Sequence, residues 1–449
     1  MKKFMLICAP ITSRSGYGDH ARDLFHSFYE SGKFDIKIQD VRWGDCPRNA
    51  LNKDIEKDKL ILDRILSSNN LDTQPDVYVD IRIPNEFQTW GKFNIGITAG
   101  IETNAVSQTW IDGCNKMDLI IVPSTHSKEG FIQSVYDKIQ SLPNGEQQKI
   151  GELKLEKPIE VLFEGVDTDN YKPLKSDELS SSISKNITDN IPEDFLFLFV
   201  GQWGKGGFGE DRKDVGKLIK IFIESFANKK NQPGLLLKTN GASFSVMDKS
   251  ECLNKINQVK SIFPKDWKLP PIYLLHGDLS IEEMNELYNH PKVKSMVSLT
   301  HGEGFGRPLL EATMVGLPVI ASNWSGQTDF LNVNQSLLLS GKLEQVPSSA
   351  VWKDIIISES KWFSVDDSGV YKTLNYCFEN YDEVKSKAKE LMKTNTDKFT
   401  LNKMTDGLVE ILDKHLSSMP TEVGLKLPKL KKVEKSEKPK IKLPKLTKV

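Results

Sequence analysis

Two glutamates eight positions apart carry the densest chemical signal in the chain. They lie in His301-Gly302-Glu303-Gly304-Phe305-Gly306-Arg307-Pro308-Leu309-Leu310-Glu311-Ala312. The stretch Ser295–Leu299 just before this motif reads as a strand. Pro308 suits the first position of a following helix, where a missing amide hydrogen costs nothing. Glycines ahead of that helix let backbone N–H groups approach a ligand, and the helix start carries partial positive charge that favours a diphosphate. With Glu311 expected in the first turn, two carboxylates are able to grip neutral hydroxyls on either side of a phosphate. Taken alone, Glu311 would be explained by the helix dipole and Glu303 by a solvated loop. The glycine pair, the preceding strand and the run Gly316-Leu317-Pro318-Val319-Ile320-Ala321 argue for a ligand instead.

The elements that must position these groups follow from the apolar pattern. Phe4–Ala9, Val77–Val79, Phe93–Ile97, Leu119–Val122 and Ile159–Leu162 read as strands, and Ala21, Leu24, Phe25 and Phe28 fall on one helical face. A second cycle starts at Phe195–Val200, continues through Leu235–Leu237, Ile272–Leu275, Ser295–Leu299 and Val319–Ala321, and includes a helical stripe of Val215, Leu218, Ile219, Phe222 and Phe226. Strands that are apolar throughout and separated by helices imply parallel sheets covered on both sides. The expected fold is α/β: two Rossmann-like domains facing each other across a cleft, with residues 1–173 as the first, 174–194 as a linker and 195–418 as the second, whose last helices could return to the first. Ligands of such sheets sit outside the carboxyl ends of the strands.

Composition sets the outer bounds. The chain has 449 residues, 38% of them hydrophobic, which suits two soluble domains and excludes a fibrous or wholly disordered protein. No apolar run approaches the ~18–20 residues of a membrane span. Met1–Cys8 imitates a secretory leader, but its apolar core is short and runs into Pro10 without a cleavage pattern, so it reads as a first strand. Five scattered cysteines without ligand spacing indicate a reduced, cytoplasmic setting and no structural zinc. The net charge of -1 hides an asymmetry: Thr421–Val449 carries ten lysines and three glutamates, leaving a body of -8. That Lys/Pro-rich tail, 419–449, repeats Leu425–Val433 as Ile441–Val449 and reads as flexible, a solvated end or a tether for an anionic partner.

Glu303–Ala312 with Gly316–Ala321 resembles the E-x7-E signature of retaining glycosyltransferases with the GT-B fold, family 4 type. Ser15-Gly16-Tyr17-Gly18 after the first strand, Asn115–Ser124, Glu164-Gly165-Val166-Asp167 and Arg212-Lys213-Asp214 fall in the family's order. The resemblance spans Phe4 to Ile411. It implies that Glu303 contacts the donor sugar near the reacting carbon and Glu311 the ribose hydroxyls, with Gly304, Phe305 and Gly306 offering backbone donors. It places Gly16, Tyr17 and Gly18 beside the donor, and Lys213 matches the family's diphosphate-binding lysine. Two departures stand out. Gln202 occupies the position of the family arginine, leaving Arg212 to substitute. The N-terminal strand end that many relatives mark with a histidine reads Ala99-Gly100-Ile101-Glu102-Thr103, which makes Glu102 the second catalytic candidate. His126 reads as the first turn of a surface helix.

The reaction this implies is leaving-group stabilisation. Arg212, Lys213 and helix amino termini would supply positive potential to a departing nucleoside diphosphate, with no metal and no cofactor beyond the nucleotide-sugar donor. The acceptor, whether glycan, lipid, protein or nucleic acid, has no legible signature. A sugar phosphorylase, a sugar-nucleotide epimerase and a non-catalytic binder of a nucleotide sugar or anionic polymer remain alternatives. Gly204–Gly209 satisfies G-x-G-x-x-G, but a polar segment separates it from the helix and no acid ends the next strand, so a mobile loop over the phosphates fits better than a nicotinamide site. Asp167-Thr168-Asp169 resembles a manganese-binding D-x-D pattern, yet its setting favours a turn. Gly216-Lys217-Leu218 lacks the hydroxyl residue of a P-loop.

Overall fold

Runs that are apolar on both faces form the inner strands of two sheets. The computed structural model describes residues 2–68, 71–141, 146–204, 208–241 and 243–417. The tail and the centre of the glycine loop, 205–207, therefore lie outside the described residues. The N-terminal half runs β1 (Lys3–Ala9), α1 (Gly16–Glu30), β2 (Phe34–Asp40), α2 (Glu56–Leu62), β3 (Val77–Ile81), β4 (Phe93–Ile97), α3 (Gln108–Lys116), β5 (Leu119–Val122) and α4 (Thr125–Gln133). An antiparallel hairpin, β6 (Tyr136–Ser141) and β7 (Gln147–Leu153), precedes β8 (Ile159–Val161). Six strands pair in parallel in the order β2-β1-β3-β4-β5-β8. The edge strand β2, absent from the sequence reading, alternates: Phe34, Ile36 and Ile38 point inward and the residues between them outward.

The interval 174–194 contains a helix, α5 (Ser182–Asn190), which buries Ile187 and whose Ser184 hydroxyl donates to Glu286 at 2.7 Å. The C-terminal half then runs β9 (Leu196–Gln202), α6 (Val215–Phe226), β10 (Gly234–Asn240), α7 (Val246–Lys260), β11 (Ile272–Leu275), α8 (Ile281–Asn289), β12 (Val293–Ser298), α9 (Arg307–Met314), β13 (Val319–Ser322) and β14 (Leu337–Leu339). A hairpin of β15 (Gly341–Gln345) and β16 (Lys361–Val365) and three helices, α10 (Asp367–Glu379), α11 (Tyr381–Lys398) and α12 (Leu401–Leu416), complete it. Its sheet is parallel, ordered β11-β10-β9-β12-β13-β14. The stripe Val215, Leu218, Ile219, Phe222 and Phe226 is fully buried against Phe197 and Phe199 of β9.

The last helix crosses back to the first half. Met404, Leu408 and Leu412, spaced four apart, join the core of Ala21, Leu24 and Phe25, and the Thr405 hydroxyl donates to that of Ser27 at 2.9 Å. No helix among the described residues is long and apolar enough to cross a membrane. Strand order reverses between β9 and β12 in the second sheet and between β1 and β3 in the first, and loops leaving the carboxyl ends there face a common seam.

Candidate active site

The loop 299–306 leaves β12 and enters α9 through Gly306, whose φ of +98° lies in the left-handed region that favours glycine. The amides of Gly304, Phe305 and Gly306 have no acceptor among the described residues, so three donors stand ahead of a helix amino terminus. The helix begins at Arg307, which makes Pro308 its second residue and moves Glu311 beyond the first turn where the sequence reading put it. The Cα–Cβ bonds of a helix tilt toward its start, so the Glu311 carboxylate still leans back toward the loop. It is bound there by Arg307 Nε at 3.1 Å and by the Tyr288 hydroxyl at 3.3 Å.

Glu303 meets the cations directly. Lys213 Nζ lies 2.5 Å from Oε1, and Arg212 Nη1 lies 3.3 Å from Oε2. Arg212 also reaches Glu102 of the opposite half, Nε to Oε1 at 3.6 Å, so the sequence candidates Glu102, Arg212, Lys213 and Glu303 form one cluster. Burial, the largest influence on Glu303, pushes its carboxyl up; the charges of Lys213 and Arg212 and the lysine hydrogen bond outweigh it and leave the group at about 2. Burial and the neighbouring Arg212 pull Lys213 down while Glu303 holds it up. With a carboxylate at 2.5 Å, we assign the charged pair.

The turn carrying the two cations is itself braced. His301 N donates to the Arg212 carbonyl at 2.8 Å, and the buried Asp211 accepts from Lys213 N at 3.2 Å. The His301 ring stacks on Trp362 with centroids 4.1 Å apart and places Nε2 3.6 Å from Asp214, a residue held at φ +52°. Neither His301 nor Asp214 was singled out as a site residue. Gln202, standing where the family arginine is expected, instead donates to the Gly241 carbonyl at 2.6 Å.

The two halves touch through glycine. A Cβ on Gly304 would come within 1.9 Å of the Ala99 carbonyl, and one on Gly302 within 2.1 Å of the Glu102 carbonyl. The Gly304 carbonyl accepts from the hydroxyl of Ser124, the cap of α4, at 2.6 Å. His126, expected on a surface helix, instead sits at this seam, its ring 4.5 Å from that of Trp324; burial pushes it down to about 4. Tyr17 donates to or accepts from Thr98 at 2.8 Å and packs on Trp43 at 4.2 Å. Gly18 packs so tightly that a Cβ would meet the Ser13 carbonyl at 2.3 Å, whereas Gly16 faces open space. Gly16, Tyr17 and Gly18 thus form the start of α1 on the N-terminal side of the seam, where the Tyr17 hydroxyl feels the charge of Glu102.

A second cluster crosses the seam around Arg307, which pairs with Asp23 of α1 as well as Glu311. Burial raises Glu311 to about 7, against the pull of Arg307, and raises Glu164 to about 8. Asp23 is also raised by burial, again opposed by Arg307, and burial with the Arg307 charge lowers His20 to about 3. Sequence reading missed Asp23 and the role of Arg307, since a contact 284 residues apart leaves no local trace.

Asp167 accepts from Asp169 N at 3.0 Å, an Asx-type turn in place of the D-x-D metal pattern. Among the described residues, no group of three His, Cys, Asp or Glu side chains is arranged to hold a metal ion.

Residues 267–358 match the family model described as glycosyl transferases group 1. No curated protein sequence matches the chain. Among solved structures, a glycosyltransferase of Rickettsia africae is similar at 14% identity and TM-score 0.60, over 93% of this chain and 99% of that one. HepE of Anabaena in complex with UDP-glucose is similar at 14% identity and TM-score 0.59, over 92% and 100%. Sucrose-phosphate synthase of Thermosynechococcus elongatus is similar at 11% identity and TM-score 0.59, over 93% and 100%. At these identities the likeness shows the fold, which is GT-B.

Proposed function

We propose that the chain is a glycosyltransferase that moves a sugar from a nucleotide-sugar donor to an acceptor with retention of anomeric configuration and without a metal. The observation that carries this reading is the Glu303 cluster: one carboxylate shared by Lys213 and Arg212 beside three free amides, at the strand switch point where a diphosphate would bind. A departing nucleoside diphosphate gains negative charge, and Lys213, Arg212 and the amides of Gly304–Gly306 are preorganised to stabilise it. Glu303 would receive donor-sugar hydroxyls as those cations turn to the phosphates. Glu311 has two hydrogen bonds to its carboxylate, which leaves lone pairs for a ribose diol. The glycine contacts across the seam exclude water from the reacting bond when the halves are closed.

The match of residues 267–358 to a glycosyltransferase model supports the enzyme class, and the UDP-glucose held by HepE puts uridine diphosphate sugars first in the panel to be tried. Release of nucleoside diphosphate is measured from that panel with and without added acceptors and in excess chelator. Transfer is expected to need an acceptor and to run at full rate in chelator. Dependence on inorganic phosphate would identify a phosphorylase, turnover without acceptor an epimerase, and a metal requirement would remove the metal-free mechanism.

A further inference from the structure

The amino ends of the strands in the second sheet border a second basic site. At the amino end of β12, a cavity of about 480 Å³ opens between α8, α11 and residues 173–174. Four lysines line it: Lys294, Lys385, Lys389 and Lys393. No carboxylate is among the described lining residues, and none of the four lysines forms an ion pair among the described residues. Lys385, Lys389 and Lys393 recur every four residues along α11 and so share one helical face, an arrangement in which like charges repel. Lys294 Nζ lies 5.2 Å from the Tyr381 ring centroid, and Lys385 Nζ donates to the Gly316 carbonyl at 2.8 Å. Burial, with the charges of Lys389 and Lys294, pushes Lys385 down to about 8, the response of an ammonium among cations without a counter-ion.

We propose that this cavity binds a compact oligophosphate, a small molecule with two or more phosphoryl groups. Lysine offers point charges on flexible stems, which suit clustered phosphate oxygens better than a single planar carboxylate. The volume is that of a small-ligand pocket, which ordinarily spans ~300–1,000 Å³. The wall includes Tyr288, whose hydroxyl donates to Glu311, so the cavity and the donor half share a side chain. The basic tail, of like charge, is no occupant. The inference does not depend on the glycosyltransferase reading, because the cavity lies at the amino ends of the strands and the Glu303 cluster at the carboxyl ends.

The test is calorimetric titration of the full chain with inorganic tripolyphosphate and, separately, fructose 1,6-bisphosphate, to distinguish an inorganic from a sugar-borne source. The Lys213→Ala variant removes the competing phosphate contact at the donor mouth and is expected to retain binding. Adding Lys389→Glu and Lys393→Glu, both exposed positions, is expected to weaken it at least about tenfold. The pair Lys389→Arg and Lys393→Arg should bind as the parent does. Loss of all binding in Lys213→Ala alone, or equal affinity with and without the two glutamates, would overturn the proposal.

Discussion

One nine-residue motif begins and ends in carboxylates with opposite proton affinities. Glu303 is held at about 2 and Glu311 lifted to about 7, although both are nearly inaccessible to solvent. The difference is the count of cations. Around Glu303, Lys213 and Arg212 face two carboxylates, Glu303 and Glu102. Around Glu311, the single guanidinium of Arg307 serves Glu311 and Asp23 by direct contact and acts on Glu164 and Asp19 through space. Environments that drive two acids apart assign them different work. On the proposed reading, the Glu303 end serves charge that develops on a phosphate and the Glu311 end binds neutral hydroxyls, while Arg307 ties the Glu311 end to Asp23 of the other half.

The largest effects should come from breaking the cation-rich end. Glu303→Gln and Lys213→Ala are each expected to lower kcat by about 10²–10³-fold, the scale of removing one preorganised charge contact, with thermal unfolding midpoints near that of the parent. Unchanged transfer in both variants would leave the cluster without a catalytic role.

A smaller effect sharpens the other end. The Glu311 pKa is raised by burial, so the folded protein holds its proton to higher pH than the free side chain does. Ribose hydroxyls donate best to the ionised form, so kcat/KM for the donor should rise with pH through about 7. In Glu311→Gln that limb should vanish, with the donor KM raised roughly tenfold at pH 8. A limb of the same midpoint in the glutamine variant would assign it to another group, Glu164 at about 8 being the nearest in value.

How much of this was legible depends on whether the signal is local. Strands buried on both faces announced themselves as apolar runs: Phe93–Ile97 and Leu119–Val122 match the observed β4 and β5 to the residue. The edge strand β2 and the β15–β16 hairpin escaped because their polar residues alternate with apolar ones or dominate. At the site, the cations two and three residues before α6 and the glycines before α9 were readable because backbone geometry ties them to the helices that follow. The partners that complete it were not. Ser124 reaches Gly304 and Asp23 reaches Arg307 only because the halves close on each other, and nothing in either segment encodes its opposite number. The first-turn expectation for Glu311 failed by the same rule in miniature: Pro308 tolerates either of the first two helical positions, and the helix chose the second.

The subtlest test of the comparison adds a cation to the end that already has two. Gln202 ends β9 at the mouth of the Glu303 cluster, exposed, with its amide committed to the Gly241 carbonyl. An arginine there would keep a donor to that carbonyl while presenting a guanidinium to the diphosphate, whose bidentate geometry a lone lysine does not match. If Arg212 is occupied by Glu102 and Glu303 while the donor binds, Gln202→Arg should lower the donor KM several-fold with little change in kcat, because the new contact would serve ground state and transition state alike. If Arg212 swings fully to the phosphates, the clamp is already complete and the substitution should change neither constant. The KM of this one variant therefore decides which of the two partners, carboxylate or phosphate, holds Arg212 in the bound state.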